Sequence, residues 1–205
     1  MGFYRDAIFP RLMNKMMDNE NTREIRERVC GGLAGDVVEI GFGTGLNLPH
    51  LPASVTSLRA VDPLQVGAKI GASRLAASPV EVEFAGLDGE RLPFADESVD
   101  AVLSTWTLCS IPDATAALRE VRRVLRPGGA LHFVEHGASP EDGVRRWQDR
   151  LDPIQRRFAG GCHLNRDIPV LIDAGGLRVK KLDTYYAKGE PKAFGWLFEG
   201  IAVPV

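Results

Sequence analysis

The sequence has 205 residues, of which 44% are hydrophobic and 25% charged, and its formal net charge is −2. These values are typical of one globular domain spanning residues 1–205, and the near-neutral charge argues against a nucleic acid as partner. No stretch approaches the ~20 apolar residues that span a bilayer, and no leader peptide is recognisable, so we expect a soluble protein. Three scattered cysteines with no disulfide framework suit a reducing compartment, so we expect it in the cytoplasm.

The first part of the chain predicts two helices. Leu12 and Met16 contribute to a partly apolar face on the first helix. Asn21 or Thr22 is expected to cap the second helix, because both side chains can accept a hydrogen bond from the backbone of the first turn.

Strand and helix signals then alternate along the chain. The predicted strands are 36–40, 57–61, 80–84, 99–104, 130–135, 177–184 and 193–203. The predicted helices are 64–76, 114–126, 141–157 and 167–174. Asp113 is expected to cap the helix that follows it, and Pro127-Gly128-Gly129 to end that helix. This alternation is typical of an α/β fold, in which a parallel sheet carries helices on both faces.

The stretch DVVEIGFGTG at residues 36–45 is the most informative one. An apolar strand there meets Glu39 and then a turn with three glycines, Gly41, Gly43 and Gly45. Glycines leave bare backbone at the carboxyl edge of the sheet, where open α/β sheets bind small ligands. An acid beside the turn disfavours a pyrophosphate and suits a ligand that carries an ammonium group and a ribose. A turn that only packs a helix against a strand is the alternative.

Two further acids follow neighbouring strands. Asp62, about 20 residues after Glu39, stands where nucleoside-binding α/β folds place the carboxylate that accepts both ribose hydroxyls. Asp88 can accept from an adenine amino group while Leu87 or Leu92 covers a face of the ring. The alternatives are local roles, a helix start for Asp62 and a turn for Asp88.

In this order, the segments over residues 36–136 resemble the class I S-adenosylmethionine-dependent methyltransferases. In their detailed residue sequence these segments are similar to the methyltransferase-like 7 (thiol methyltransferase) group, whose characterised members methylate small alkyl thiols. The segments that carry this finer likeness are TLCSI at 107–111, EVRRVLRPGG at 120–129, Glu135-His136, Trp147, LDP at 151–153 and GCHLNR at 161–166.

The resemblance implies a Rossmann-like fold, with a mostly parallel seven-stranded sheet, helices on both faces and an antiparallel C-terminal strand. It implies S-adenosyl-L-methionine as cofactor and a small molecule as acceptor. Members of the group carry a hydrophobic N-terminal anchor, whereas this chain begins with an amphipathic helix. We therefore expect no stable membrane anchor.

The resemblance also implies where the cofactor binds. Glu39, the glycine turn and Asn47 would hold the methionine end. Asp62 would take the ribose, Asp88 and Gly89 the adenine, and the end of the fourth strand would line the cofactor. The full implied set is Glu39, Gly41, Phe42, Gly43, Gly45, Asn47, Asp62, Pro63, Asp88, Gly89, Ser104, Thr105 and Trp106.

The acceptor is less well specified than the cofactor. Methyl transfer to a thiolate removes charge and is favoured in a dry apolar pocket, whereas transfer to an amine creates a cation that needs carboxylates or aromatic faces. Downstream of the cofactor core the sequence holds several aromatic residues: Trp147, Phe158, Tyr185, Tyr186, Phe194 and Trp196. This composition favours a thiol or a phenol. A phospholipid or quinone-pathway methyltransferase is the alternative.

His136, at the end of the fifth strand, is the candidate general base, and a structural histidine is the alternative. Cys109 is not expected to act as a nucleophile, because direct transfer needs no covalent intermediate. The three cysteines, Cys30, Cys109 and Cys162, suggest no disulfide framework. No metal site is expected either, because Cys162-His163 lacks a second ligand pair at metal spacing.

The flanks of the cofactor-binding core, about 36–136, have no other evident role. We expect the N-terminal helical segment, about 1–33, to form a lid, and in particular Phe3 to Met17, which is rich in adaptable methionines. The segment of about 140–205 would supply the opposite, substrate-side wall. The alternative is that the N-terminal apolar stripe is simply core.

Two other functional classes stay open. A nicotinamide-dependent oxidoreductase is the runner-up, but position 46 is Leu where the pattern G-x-G-x-x-G needs glycine, and Gly45 comes one residue early. A cofactor-binding protein without catalysis also stays open, because the sequence names no obligatory catalytic residue.

Overall fold

A computed structural model describes residues 8–63 and 66–205. Its strands are β1 (Gly35–Ile40), β2 (Val55–Val61), β3 (Val82–Gly86), β4 (Val99–Thr105), β5 (Leu125–His136), β6 (Leu177–Tyr186) and β7 (Trp196–Pro204). Its helices are α1 (Phe9–Met16), α2 (Glu20–Cys30), α3 (Val66–Ile70), α4 (Ala72–Ala76), α5 (Ala114–Val124), α6 (Asp142–Phe158), α7 (Ile168–Ala174) and α8 (Lys192–Gly195).

The seven strands form one sheet in the order β3-β2-β1-β4-β5-β7-β6. β1 to β5 pair in parallel, and β7 is antiparallel to both of its neighbours, β5 and β6. The predicted fold class is therefore confirmed. The winding direction reverses between β1 and β4, and this switch point is where open α/β sheets form a ligand-binding crevice.

Helices cover both faces of the central strands. Val38 and Val102 belong to the cluster that packs under α5 and α7, whereas Val37 and Leu103 belong to the cluster under α2. All four side chains are fully buried. Central strands of this kind are apolar on both faces, which explains the near-continuous apolar runs in the sequence.

The start of α2 differs from the prediction. Asn19, not Asn21 or Thr22, is the cap: its side chain accepts from the Thr22 backbone N–H over 3.1 Å. The Thr22 hydroxyl accepts in return from the Asn19 backbone N–H over 3.2 Å. This reciprocal capping box satisfies two backbone donors at once, so it outweighs a start two residues later.

The start of α5 was predicted correctly, but its end was not. Asp113 caps the helix as expected and accepts from the Ala116 backbone N–H over 2.9 Å. The helix ends at Val124, however, and Leu125 already has the extended backbone of β5. The residue before a proline avoids helical geometry, so Pro127 keeps Arg126 out of the helix. The helix therefore ends ahead of the proline, and Gly128 and Gly129 lie within β5.

Other boundaries differ as well: β2 and β5 begin earlier than predicted, and β3 lies two residues later. The predicted helix 64–76 is two short helices interrupted at Gly71, with residues 64 and 65 outside the described part. The last strand begins at Trp196 because Lys192–Gly195 forms a helical turn. Across the described ranges, no helix combines the length and apolar character needed to cross a membrane.

The last strand carries the chain away from the switch point. β7 begins beside the end of β5, where Leu197 pairs with His136. It finishes beside the start of β6, where Pro204 pairs with Leu177. Val205 is then held at that opposite edge by a backbone hydrogen bond of 3.3 Å from its N–H to the Gly176 carbonyl.

Candidate functional site

The glycine turn follows β1 at the carboxyl edge of the sheet. Gly41, Gly43 and Gly45 have φ values of 78°, 56° and 71°, a left-handed backbone that side chains rarely adopt. The Gly43 N–H donates to Asp62 Oδ2 over 2.7 Å. Among the described residues, a Cβ added to Gly43 would meet no atom closer than the Gly41 carbonyl at 3.9 Å, so these residues leave open space above the turn.

Close helix packing holds the turn from behind. A Cβ on Gly67 of α3 would lie 2.0 Å from the Gly43 carbonyl, and one on Gly71 would lie 2.2 Å from the Thr44 carbonyl. Only glycine permits these approaches. Phe42 points away from the open side: its ring is buried in the core and meets Phe84 edge-on, with centroids 5.3 Å apart. Phe42 can therefore offer a ligand its backbone but not its ring.

A buried polar network closes the base of the turn. Asn47 Nδ2 donates to Glu39 Oε1 over 2.7 Å and to Thr105 Oγ1 over 3.0 Å. Arg26 Nη1 donates to Asn47 Oδ1 over 2.6 Å and to Thr105 Oγ1 over 3.1 Å. All four side chains are buried. The structure thus brings together three of the implied cofactor residues and adds a fourth group from α2.

Two atoms of this network have no hydrogen-bond partner within the described residues, Glu39 Oε2 and Arg26 Nε. Burial raises the pKa of the Glu39 carboxyl to about 8, against the hydrogen bond from Asn47 and the charge of Arg26. Burial also lowers the pKa of the Arg26 guanidinium to about 10. A buried acceptor and a buried donor within one network match the ammonium and carboxylate of an amino acid, so the residues present fit the methionine end of S-adenosylmethionine.

Sequence reasoning missed Arg26. Its signal is a charged residue inside the apolar stripe of a helix, since Ile25, Val29 and Cys30 on the same helix are buried in the core. A polar residue at a core position of an amphipathic helix needs a buried partner. The same packing makes α2 part of the domain body, so within the predicted lid of residues 1–33 only α1 is left to cover the site. Residues 1–7 of that segment lie outside the described part.

Of the three residues predicted at the end of β4 to line the cofactor, two border the site and one does not. The Ser104 hydroxyl donates to Glu135 Oε1 over 2.9 Å, so this side chain serves the core. Thr105 belongs to the polar network. Trp106 has a left-handed φ of 50°, and the Arg26 guanidinium lies 4.8 Å from its ring centroid. Thr105 and Trp106 therefore border the site, and Ser104 does not.

The acids after β2 and β3 stand at the same edge. Asp62 is half-buried against the glycine turn, with Pro63 exposed beside it. Asp88 is exposed, and its Oδ1 accepts from the Glu90 backbone N–H over 2.9 Å. Leu87 is 57% exposed whereas Leu92 is in the core, so Leu87 is the side chain available to a ring.

Gly89 lies against the end of β1. A Cβ there would come within 2.9 Å of Ile40 Cγ2 and 3.3 Å of Ile111 Cδ1. The bare backbone of Gly89 thus allows the loop after β3 to approach the switch point closely. This position agrees with an adenine site between the loop and the glycine turn, which stays a prediction.

His136 is placed differently from a free general base. Its Nε2 lies 2.8 Å from Cys162 Sγ, and its Nδ1 is buried without a partner among the described residues. Burial lowers the pKa of His136, but the hydrogen bond and charge of Cys162 outweigh this and raise it. Hydrogen bonding with Cys109 and then with His136 lowers the pKa of the Cys162 thiol. This arrangement fits the structural alternative for His136 better than a base that contacts the acceptor.

The aromatic residues downstream of the cofactor core do not form one surface. Tyr186, Trp196 and Phe198 make a chain of edge-on contacts, with centroids 4.8 and 6.3 Å apart. Trp147 and Phe158 are instead more than half exposed on α6. Tyr185 hydrogen-bonds to Glu199, and Phe194 is also exposed.

Helix α1, which belongs to the predicted lid, lies between the glycine turn and the C-terminal segment. The Thr44 hydroxyl, in the glycine turn, contacts the Asn14 side chain of α1 at 2.7 Å. At the other end, a Cβ on Gly160, just after α6, would lie 2.9 Å from the Phe9 ring. The helix thus bridges the cofactor turn and the C-terminal segment.

The sequence matches the family model described as "Methyltransferase domain" over residues 38–133. It is 34% identical over 172 residues to thiol S-methyltransferase TMT1B of Homo sapiens, covering 80% of this chain and 70% of that protein. It is 34% identical over 123 residues to demethylmenaquinone methyltransferase of Clavibacter sepedonicus, covering 60% of this chain and 50% of that protein. The chain spans between 55% and 70% of the length of the thiol S-methyltransferases that it matches.

The fold also matches solved structures. One is the putative methyltransferase of Haloferax volcanii in complex with its Trm112 activator. That match has a TM-score of 0.70 and 19% identity, and it covers 99% of this chain and 96% of the other. At this identity the match supports the fold alone.

Proposed function

Since the chain belongs to the class I S-adenosylmethionine-dependent methyltransferases, near the thiol S-methyltransferases, we propose that it methylates a small, fairly apolar acceptor that loses a proton. A thiol fits this description best, and a phenol fits it next. Membership of this family sets aside the nicotinamide-dependent alternative.

The cofactor is S-adenosylmethionine, which supplies an electrophilic methyl group on a sulfonium when bound. Glu39 Oε2 would accept from the ammonium group of its methionine end, and Arg26 Nε would donate to its carboxylate. Asp62 would accept from the ribose while it holds the Gly43 N–H. Gly43 would let the backbone approach the ligand, because the space above it is open. These residues position the donor, and positioning is the main requirement of an in-line displacement.

The observation that carries the choice of acceptor is the satisfied state of the other buried carboxylates. Glu135 accepts from a hydroxyl and three backbone N–H groups. Glu199 is paired with Arg28 over 2.7 Å, and Asp152 accepts from the Leu164 backbone N–H. A methylated amine would need a carboxylate to stabilise its new charge, whereas a thiolate or phenolate loses its charge in the reaction. The site therefore favours an acceptor that ends neutral.

A second candidate acceptor is a demethylated quinone. The likeness to demethylmenaquinone methyltransferases, at 34–38% identity, favours it. Methylation of a demethylated quinol takes place at a ring carbon: the anionic quinolate attacks through that carbon, and the ring proton then moves to the oxygen. The product is neutral and has an apolar body, so this acceptor satisfies the same charge argument. The thiol stays first because the thiol S-methyltransferases match a larger part of this chain, up to 81% against 63%.

The test is incubation with methyl-labelled S-adenosylmethionine and a matched panel of acceptors. The panel pairs an alkyl thiol, a phenol, a hydroquinone and an amine that carry the same apolar group. We expect label in the thioether, with less in the phenol ether and none in the amine. Label in the hydroquinone alone would favour the second candidate. Label in the amine would contradict the charge argument, and cofactor binding without any transfer would favour the non-catalytic alternative.

A further inference from the structure

Three metal-ligating side chains from distant parts of the sequence converge at the carboxyl edge of the sheet. Cys109 follows β4, His136 ends β5, and Cys162 follows α6. The two sulfurs lie 3.6 Å apart, Cys162 Sγ lies 2.8 Å from His136 Nε2, and all three ligand atoms lie within 4.8 Å of one another. We propose that this group, the Cys109–His136–Cys162 cluster, binds a thiophilic divalent cation such as zinc.

The distances suit such an ion after a small adjustment. Two thiolates bound tetrahedrally to zinc at about 2.3 Å stand roughly 3.8 Å apart, close to the observed sulfur separation. The 2.8 Å from Cys162 Sγ to His136 Nε2 is a hydrogen-bond distance. It would lengthen by roughly 0.7 Å when the metal replaces the shared proton. A slight rotation of either side chain accommodates this change.

The chemistry of the donors selects the kind of ion. Two sulfurs and an imidazole nitrogen are ligands for zinc and other thiophilic metals, and they bind Mg²⁺ or Ca²⁺ poorly. The neighbouring carboxylate, Glu135, does not add a hard ligand, because its oxygens accept from Ser104 and from successive backbone N–H groups. Two thiolates, a neutral imidazole and a divalent cation form a complex without net charge. Burial penalises such a complex far less than it penalises isolated ions.

Backbone hydrogen bonds bring the ligand loops into place. Glu135 accepts from the Cys109 N–H over 3.2 Å and thereby fixes the loop after β4. The His163 N–H donates to the Cys109 carbonyl over 2.8 Å, which ties the second cysteine loop to the first. Cys109 and Cys162 are 1% and 8% exposed. Ligands held in this way need little reorganisation before they bind a metal.

The cluster could not be predicted from the sequence, because its three members do not have the spacing of a metal-binding motif. The only adjacent Cys-His pair, Cys162-His163, contributes one ligand. The other two come from the loop after β4 and the end of β5.

Three protein ligands leave one tetrahedral position for water or another small ligand, as in catalytic rather than structural zinc sites. Thr107, two residues before Cys109, fills the space beside Gly41, where an added Cβ would lie 2.0 Å from its hydroxyl. Metal binding would therefore stiffen a segment that borders the cofactor turn.

Metal analysis of the full chain tests the proposal. The protein would be purified under reducing conditions after growth with added zinc, and its metal content measured by inductively coupled plasma mass spectrometry. We expect about one zinc per chain. After chelator treatment, Co²⁺ should produce thiolate-to-metal charge-transfer absorption and the visible bands of tetrahedral cobalt. Zinc should then displace the cobalt and raise the Tm.

The variants Cys109→Ser, Cys162→Ser and His136→Gln should each weaken zinc binding by more than about tenfold, the loss that even an outer-shell change can cause. The matched control is Cys30→Ala, a buried cysteine outside the cluster, which should keep full metal content. If a cluster variant does not fold, the wild-type cobalt spectrum decides, because its charge-transfer intensity reports the number of bound thiolates.

Three results would overturn the proposal. The first is a reduced wild-type protein that binds neither zinc nor cobalt. The second is a disulfide between Cys109 and Cys162, recognised by the loss of two hydrogens in the mass spectrum. The third is metal loss in Cys30→Ala equal to that in the cluster variants.

Discussion

The Thr44 hydroxyl donates to Asn14 Oδ1 over 2.7 Å and so fastens α1 to the glycine turn. Arg74 of α4 donates to the same Asn14 oxygen. Within α1, Leu12 and Met16 are about half exposed, and Pro10 is the one residue of the helix that is buried. Segments with few buried apolar contacts open at low free energy, so α1 is suited to open and close over the site.

We expect deletion of residues 1–17 to leave the fold and cofactor binding intact but to abolish turnover, because an open site readmits water and loses alignment. Circular dichroism, calorimetric titration and a methyl-transfer assay measure the three properties. Asn14→Ala should lower turnover less severely, and Lys15→Ala, on the exposed side of α1, should have no effect. Unfolding of the truncated protein would show that α1 is core, and full activity would refute both interpretations.

Asp62→Ala should weaken S-adenosylmethionine binding by roughly tenfold or more, since charge-assisted hydrogen bonds are each worth ~1.5–3 kcal/mol. The variant also releases the Gly43 N–H, so the turn itself loses an anchor. Calorimetric titration of the folded variant measures the loss. Asp183→Ala, an exposed acid on β6 paired with Lys181, is the matched control and should bind normally. Equal affinity in the two variants would remove Asp62 from the site.

Gly43→Val should fold and yet bind no cofactor, because its side chain would occupy the open space above the turn. Its left-handed φ of 56° costs about 1–2 kcal/mol with any side chain. Gly128→Val provides the control: Gly128 has a φ of 87°, and no atom of the described part of the chain lies within 4 Å of an added Cβ, but this glycine lies in the first part of β5. Both variants should lose similar stability, and only the first should lose binding. Normal binding by Gly43→Val would indicate that the turn is only a packing device.

The raised pKa of Glu39 predicts a pH dependence of stability in the cofactor-free protein. Between about pH 4.5 and pH 8 the folded chain holds a proton on Glu39 that the unfolded chain has lost. The free energy of unfolding should therefore fall as pH rises through this window, by about 1.4 kcal/mol for each unit of pKa difference. Arg26 stays charged throughout, since its pKa is about 10.

Urea denaturation of the wild type and of Glu39→Gln across this range measures the effect. The variant lacks the titrating group, so its stability should decline less steeply with pH. Identical slopes would show that Glu39 is already ionised in the folded protein. Calorimetry near neutral pH in buffers of different ionisation enthalpy adds a second readout, because cofactor binding should release the Glu39 proton.

The local pattern predicted Glu39, and the family resemblance implied Asn47 and Thr105. Glu39 lies near the end of β1, Asn47 follows that strand and Thr105 ends β4. Parallel strands of one sheet end at the same edge, so these residues can meet there. Arg26 could not be placed in the same way, because it depends on how α2 packs across the sheet. The thiol of Cys109 and the imidazole of His136 meet Cys162 only because the chain after α6 returns to the end of β5. No local pattern encodes such a return.

Some predicted helix boundaries were wrong for a related reason. The end of α5 depends on a competition between helix propensity and the steric effect of Pro127 on Arg126, and the strand pairing of Leu125 with Val99 decides it. Similarly, the cap of α2 depends on a reciprocal pair, Asn19 with Thr22, and the predicted caps included only Thr22 of this pair.

The antiparallel course of β7 has a practical consequence for handling the protein. Val205 is pinned beside Gly176 and also accepts from Arg122 over 3.3 Å, at the sheet edge opposite the glycine turn. A peptide tag or a surface linkage attached after Val205 would therefore leave the domain pointing away from the cofactor crevice. Helix α1 instead contacts the glycine turn, so a bulky partner on that side of the domain would stand close to the crevice. Immobilised assays and fusion partners should be built on the C-terminal side.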